Sequence, residues 1–271
     1  MIADRTTIAE ACRSVLLAAA PYEKVRTARA AARAWRRGDL AHAFDVPMPD
    51  RPARPERPEL VSANRMPKRG RGGSERGRIA MLHALAHIEF GAIDLAFDMA
   101  GRFGSGFPRA FVDDWIGVGA DEAIHFVMLD RRLRALGSAY GALPAHDGLW
   151  EAAEETADDV LARLAVVPMV LEARGLDVTP ATVERFEVAG DARSAAILGR
   201  IYSDEIRHVA VGTRWFRTAC ESRKIAVVAE WQRLVRRHFR GALKPPFNDS
   251  ARGEAGLSRD FYAGVAADRF A

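Results

Sequence analysis

The frame Glu-x-x-His occurs twice in this chain, as Glu122-Ala-Ile-His125 and Glu205-Ile-Arg-His208, among only seven histidines. In both copies the residue before the glutamate is an aspartate, Asp121 and Asp204. Residues three apart on a helix share a face. Each frame can therefore aim one carboxylate and one imidazole at a common point, provided the surrounding segment is helical. That condition constrains the fold more than any other feature of the sequence.

The surrounding segments meet it. Ala, Leu and Arg abound, 49% of residues are hydrophobic, and glycine and proline gather in particular stretches. This composition favours helix over sheet. The pattern predicts helices near Thr7–Ala20, Tyr22–Arg37, Arg76–Ala100, Pro108–Leu136, Leu149–Arg174, Asp191–Thr218 and Lys224–Phe239. Three runs, GRFGSGFP, GSAYGALPAHDG and RGLDVTP, read as the breaks between the four long members. The run VPMPDRPARPERP, residues 46–58, cannot be helical and reads as an extended surface linker. The expected architecture is all-α: residues 1–74 form an N-terminal helical extension and a Pro/Arg/Gly-rich linker, and residues 75–271 form a four-helix bundle with a further C-terminal helix. The tail from Lys244 has no clear period, and its Phe247, Phe261 and Tyr262 are expected to pack over the bundle.

Two more carboxylates stand mid-helix on apolar faces. Glu89 shares its side with Leu82, Leu85, Ala86, Ala92, Ile93 and Ala96, and Glu172 with Leu161, Leu164, Ala165, Pro168 and Met169. An unpartnered buried carboxylate is costly, and a metal cation supplies the missing partner. Glu89 precedes Glu122 by the same number of residues as Glu172 precedes Glu205. The expectation is two helical hairpins, each giving one Glu and one Glu-x-x-His, with Glu89, Glu122, His125, Glu172, Glu205 and His208 as ligands of two metals. Four carboxylates neutralise two divalent cations. An oxygen-rich set with two imidazoles suits iron, manganese or a mixed pair. Asp121 and Asp204 are expected behind the His ligands, each supporting the histidine of the other hairpin, and Tyr202 beside the site on the ligand face.

The strings LHALAHIEFGAIDLAFDMA, DEAIHFVMLDRRLRALG, VPMVLEARGLDVTP and ILGRIYSDEIRHVAVG, with PFN…AR in the tail, resemble an uncharacterised bacterial family of ferritin-like proteins catalogued as a domain of unknown function. The resemblance covers roughly residues 75–260 and implies a ferritin-like bundle with the six ligands above. More distantly the frame is similar to the di-iron carboxylate oxygenases: bacterial multicomponent monooxygenases, ribonucleotide reductase small subunits and the di-iron tRNA hydroxylase. Arg207 matches the D-E-x-R-H form of some of these, whereas Ile124 in the first copy departs from it.

The leading functional expectation is a di-iron oxidase or hydroxylase that uses O2 and an external electron donor. The alternatives are iron oxidation, storage or sensing without an organic substrate, or an RNA-binding or tRNA-modifying protein. RNA would bind through the basic segment 65–78, with Arg65, Lys68, Arg69, Arg71, Arg76 and Arg78. A monomer or homodimer is expected rather than a cage. Cys12 and Cys220 are the only cysteines, which argues against a disulfide scaffold or a thiolate zinc site. No apolar run reaches the roughly 18 residues of a spanning helix, so the expectation is a cytoplasmic protein with no membrane partner. His83 and His87 face away from Glu89 and are expected to hydrogen-bond structurally, with Asp94 on their face. Trp115 and Trp215 are expected in the core. His42, His146 and His238 carry no assignment.

Overall fold

A computed structural model describes residues 6–66 and 74–266. Among the described residues the secondary structure is helical throughout, apart from isolated bridges. The chain divides into two compact units, Met1–Trp150 and Glu151–Ala271.

The first unit holds α1 (Ile8–Leu17), α2 (Pro21–Arg37), α3 (Glu75–Phe103) and α4 (Arg109–Ala135). Thr7 and Glu10 form a reciprocal capping box at the start of α1. Pro21 opens α2 at a position where its missing N–H costs nothing, and Gly38, at φ 76°, closes it. Ser74 caps α3 through the Gly77 amide. The α3 and α4 helices form the central pair; α1 packs on α3, α2 on α4, and α1 and α2 on each other. Gly119 lets α3 and α4 approach closely, because a Cβ there would lie 2.6 Å from the Phe97 ring.

The proline-rich segment is extended, as expected, and it is tied down along its length. Arg102 donates to the Pro49 carbonyl (2.8 Å), Trp150 to that of Asp50 (3.1 Å), and the Ala53 amide to Leu16 O (2.8 Å). Arg54 from this segment pairs with Asp94 of α3, and the Lys24 ammonium of α2 pairs with the same carboxylate at 2.5 Å. Lys24 is fully buried and also donates to the Val15 carbonyl (3.0 Å), closing the C-terminus of α1. Burial pushes the Lys24 ammonium down and the Asp94 carboxyl up, and their mutual attraction offsets part of each shift. Asp94 thus serves the packing of α1, α2 and the linker. It does not serve His83 and His87, contrary to the sequence expectation.

Among the described residues, Glu75–Gly106 is the one helical stretch long and apolar enough to cross a membrane, and the sequence reading did not anticipate it. Protein covers 61% of its most apolar window. Its buried Glu89, Asp94 and Asp98 mark it as a core helix: Glu89 and Asp94 meet His125 of α4, Lys24 of α2 and Arg54 of the proline-rich segment, and Asp98 accepts from Arg102 on its own helix.

The second unit holds α6 (Val160–Val166), a π-helical turn (Val167–Glu172), α7 (Ala173–Val188), α8 (Ala192–Ser222), α9 (Val227–His238), α10 (Asp249–Glu254) and α11 (Arg259–Ala263), while α5 (Gly148–Glu154) spans the division. One unbroken helix over Leu149–Arg174 was expected. Instead the chain stops after α5, restarts at the Asp159 cap, and passes through the π-helical turn into α7. Buried Arg163 stabilises that interruption by donating to Ala153 O (2.6 Å) and to the Thr156 hydroxyl (2.9 Å). The RGLDVTP run, expected as a break, is helical. The break falls instead at Gly190, with φ 74°.

Pro180 is tolerated inside α7 for an identifiable reason. A proline lacks the amide that would bond to the carbonyl four residues earlier, here that of Leu176. The Asn248 side-chain amide donates to that carbonyl instead, at 3.2 Å. The same amide group donates to the Tyr202 hydroxyl of α8 (3.0 Å), and the Asn248 backbone N–H donates to Asp177 (2.9 Å). Arg252, 1% exposed, grips Asp177 through two bonds of 2.8 and 2.7 Å between the rings of Phe247 and Tyr262. The tail therefore packs over the α7–α8 pair, as the aromatic residues led us to expect. Arg252→Met should leave the buried Asp177 carboxylate without its main partner and cost about 3–5 kcal/mol. Urea unfolding of the variant measures that loss, and a change under 1 kcal/mol (on the order of an exposed pair) would contradict this role.

Candidate metal centre

In the first unit three of the expected ligands converge. Glu122 and His125 lie one turn apart on the buried face of α4, and Glu89 faces them from α3. His125 Nδ1 stands 3.1 Å from Glu122 Oε2 and 3.2 Å from Glu89 Oε2. Each of the three offers a ligand atom within 4.8 Å of the others. The group is sealed: Glu89 is 5% exposed, and Glu122 and His125 are each 1% exposed.

The electrostatics show what this arrangement demands. Burial, and then the neighbouring charge of Glu122, push the Glu89 carboxyl well above the ordinary range. Burial by itself would lower His125, but its hydrogen bonds to the carboxylates of Glu122 and Glu89 and their charges outweigh it, and the imidazole is carried up to about 11. Two carboxylates buried side by side call for a proton or a positive charge, and the imidazolium of His125 is one group placed to provide it. A cation bound between them would take over that duty and leave a histidine nitrogen free to ligate. The donor set, two carboxylates and one imidazole within ligating reach of one point, fits a divalent cation.

In the second unit the corresponding three residues are Glu172, Glu205 and His208. Glu172 is the last residue of the π-helical turn, which packs on α8. Glu205 and His208 lie one turn apart on α8, with His208 Nδ1 3.4 Å from Glu205 Oε1, and His208 is fully buried. The π-helical geometry of the segment carrying Glu172 was not legible in the sequence. Its packing depends on Gly212: a Cβ there would come within 2.5 Å of the Pro168 ring. Gly212→Ala should push the π-helical turn off α8 and destabilise the fold by about 1–3 kcal/mol. A thermal melt reads this, and an unchanged Tm would show that the ring has room to move.

Asp204 accepts from Arg200 (2.7 Å) and Arg207 (3.4 Å) on its own helix, and Asp121 is half-buried. Tyr202 accepts from Asn248, so its hydroxyl is anchored by the tail. His83 accepts the amides of Gly141 (2.9 Å) and Leu143 (3.4 Å). His87 bonds to the Tyr140 hydroxyl (2.9 Å) and the His146 carbonyl (3.2 Å). Burial lowers both imidazoles to about 4. They are neutral residues that hold the loop after α4, as expected. Trp115 and Trp215 are buried. Of the basic segment, Lys68, Arg69 and Arg71 lie outside the described residues. The sequence reading missed Asn248, Asp177 and Arg252. The available signal was Pro180 inside a helical stretch, whose orphaned carbonyl needs an outside donor.

Fold and site together define an all-helical protein with a buried Glu/His cluster that could hold a metal ion. The chain belongs to the family described as "Protein of unknown function (DUF455)", whose model matches residues 17–263. It is 40% identical over 220 residues to a Haemophilus influenzae protein described as "Uncharacterized protein", covering 79% of this chain and 76% of the relative. No solved structure matches.

Proposed function

We propose that this chain is a ferritin-like, non-haem di-iron carboxylate protein that activates dioxygen to oxidise a substrate, with electrons from an external donor. The observation that carries this reading is the buried Glu89–Glu122–His125 cluster, in which two carboxylates and an imidazole share one small volume. The second half of the sequence repeats its composition: Glu172, Glu205 and His208 have the same order and spacing. In this reading the two sets together hold two irons, or manganese in one or both positions. Bound iron would supply the redox chemistry with dioxygen. The chain's own groups do the rest: four carboxylates balance the cations' charge, and His125 and His208 complete the ligand set. The fully buried Phe90 and Phe126, next in sequence to Glu89 and His125, help keep water from the ligand helices.

Two measurements test this. Protein produced in iron-supplemented medium without chelator should contain about two metals per chain by elemental analysis, the stoichiometry of a paired carboxylate site; zero or one would sink the paired-site reading. Glu172→Ala should lose at least one of the two metals, and an unchanged content would remove Glu172 from the ligand set. Oxygen uptake by the reduced, metal-loaded protein then separates an oxidase from a protein whose metals are only structural.

A further inference from the structure

Helix α2 presents a feature that the metal site does not use. Its exposed face carries Arg26, Arg29, Arg33, Arg36 and Arg37, at the three- and four-residue steps that align side chains on one side of a helix. The opposite face, with Val25, Ala28, Ala31, Ala32 and Trp35, is buried. The row extends about 16 Å at the helical rise of 1.5 Å per residue. Arg37 pairs with Asp39. Among the described residues, no acid pairs with Arg26, Arg29, Arg33 or Arg36.

Two neighbouring acids of α4 are engaged by groups other than the α2 arginines. Asp113 accepts the Trp35 indole N–H (2.7 Å) and lies 3.7 Å from Arg109. Asp130 accepts from the Tyr22 hydroxyl (2.6 Å), the Tyr140 amide (2.8 Å) and Arg134 (2.8 Å). Arg109 is held over the Trp35 ring, 3.7 Å from its centroid. It lines a crevice with Arg36, Asp113 and Gly117 that extends the basic row from α2 onto α4.

We propose that this arginine row, extended by Arg109, is a docking surface for the phosphate backbone of a double-stranded nucleic acid. Arginine's planar fork suits phosphate, and every exposed cation on α2 is arginine. A rigid, straight row of cations complements a stiff line of phosphates. A membrane surface fits less well. A helix that binds lipid in its interface plane inserts an apolar face, and the apolar face of α2 is occupied by α1 and α4. A single strand also fits less well, because stacking on bases needs aromatic residues in the row. Tyr22 is the one exposed aromatic of α2, and its hydroxyl is tied to Asp130. The inference stands whether or not the chain binds metal.

The test is fluorescence anisotropy of a labelled DNA duplex titrated with the full chain at stepped KCl concentrations. Binding should appear at low salt, and log K should fall with log[KCl] at a slope near −3.6, the value for about four neutralised phosphates. The variant R26Q/R29Q/R33Q/R36Q, whose changes are all exposed, should lose at least tenfold in affinity and show a shallower slope. The double variant R29Q/R33Q should fall between the two and guards against misfolding of the quadruple variant. No binding by the wild type at low salt, or full affinity in both variants, overturns the proposal. Tighter binding to single-stranded DNA or to vesicles of anionic phospholipid than to the duplex overturns it as well.

Discussion

Two buried carboxylates within ligating distance of one imidazole set the terms for the first unit. Removing charge from water costs several kcal/mol per ion even after relaxation, so Glu89 and Glu122 in the core call for a proton, a cation or a protonated His125 to meet them. That need explains why α3 and α4 are held together so firmly. Gly119 brings them close, and Lys24 and Arg54 clamp α3 from outside through Asp94. The extended proline-rich segment contributes by delivering Arg54. A stretch that looks like a spacer thus supplies part of the electrostatic balance of the core.

The second unit meets a comparable demand with different means. Its helices are interrupted, and each interruption is compensated by a named side chain. Arg163 satisfies the Ala153 carbonyl near the end of α5, Asn248 replaces the amide that Pro180 lacks, and Arg252 neutralises Asp177. These three residues act on backbone groups or charges that the helices themselves leave unsatisfied. The result is that Glu172 and Glu205 sit on helices whose packing is fixed by the tail.

The metal-ligand candidates were legible because Glu-x-x-His is a local pattern. Three-residue spacing translates directly into a shared helical face, and apolar neighbours identify which face is buried. The same reasoning placed Trp115 and Trp215 in the core and assigned His83 and His87 to structural bonding. It failed where the deciding contact is distant in the chain. Asp94 was grouped with His83 and His87 because it lies on their side of the helix, yet its partners are Lys24 and Arg54. RGLDVTP was read as a break because proline normally ends a helix, and the rescue comes from Asn248 in the tail.

The Glu-x-x-His frames open and close the problem. From sequence alone came the all-helical class, the six candidate ligands and the equal spacing of their two sets, all of which depend on residue type and local period; the family came from a resemblance of motif strings. Only the tertiary structure decided that Glu89 meets Glu122 and His125 in a sealed core, that Glu172 rides on a π-helical turn seated against Gly212, and that Arg26, Arg29, Arg33 and Arg36 of α2 lack acidic partners among the described residues. Those outcomes depend on which distant groups the packing brings within a few ångströms, and helical period carries no information about that.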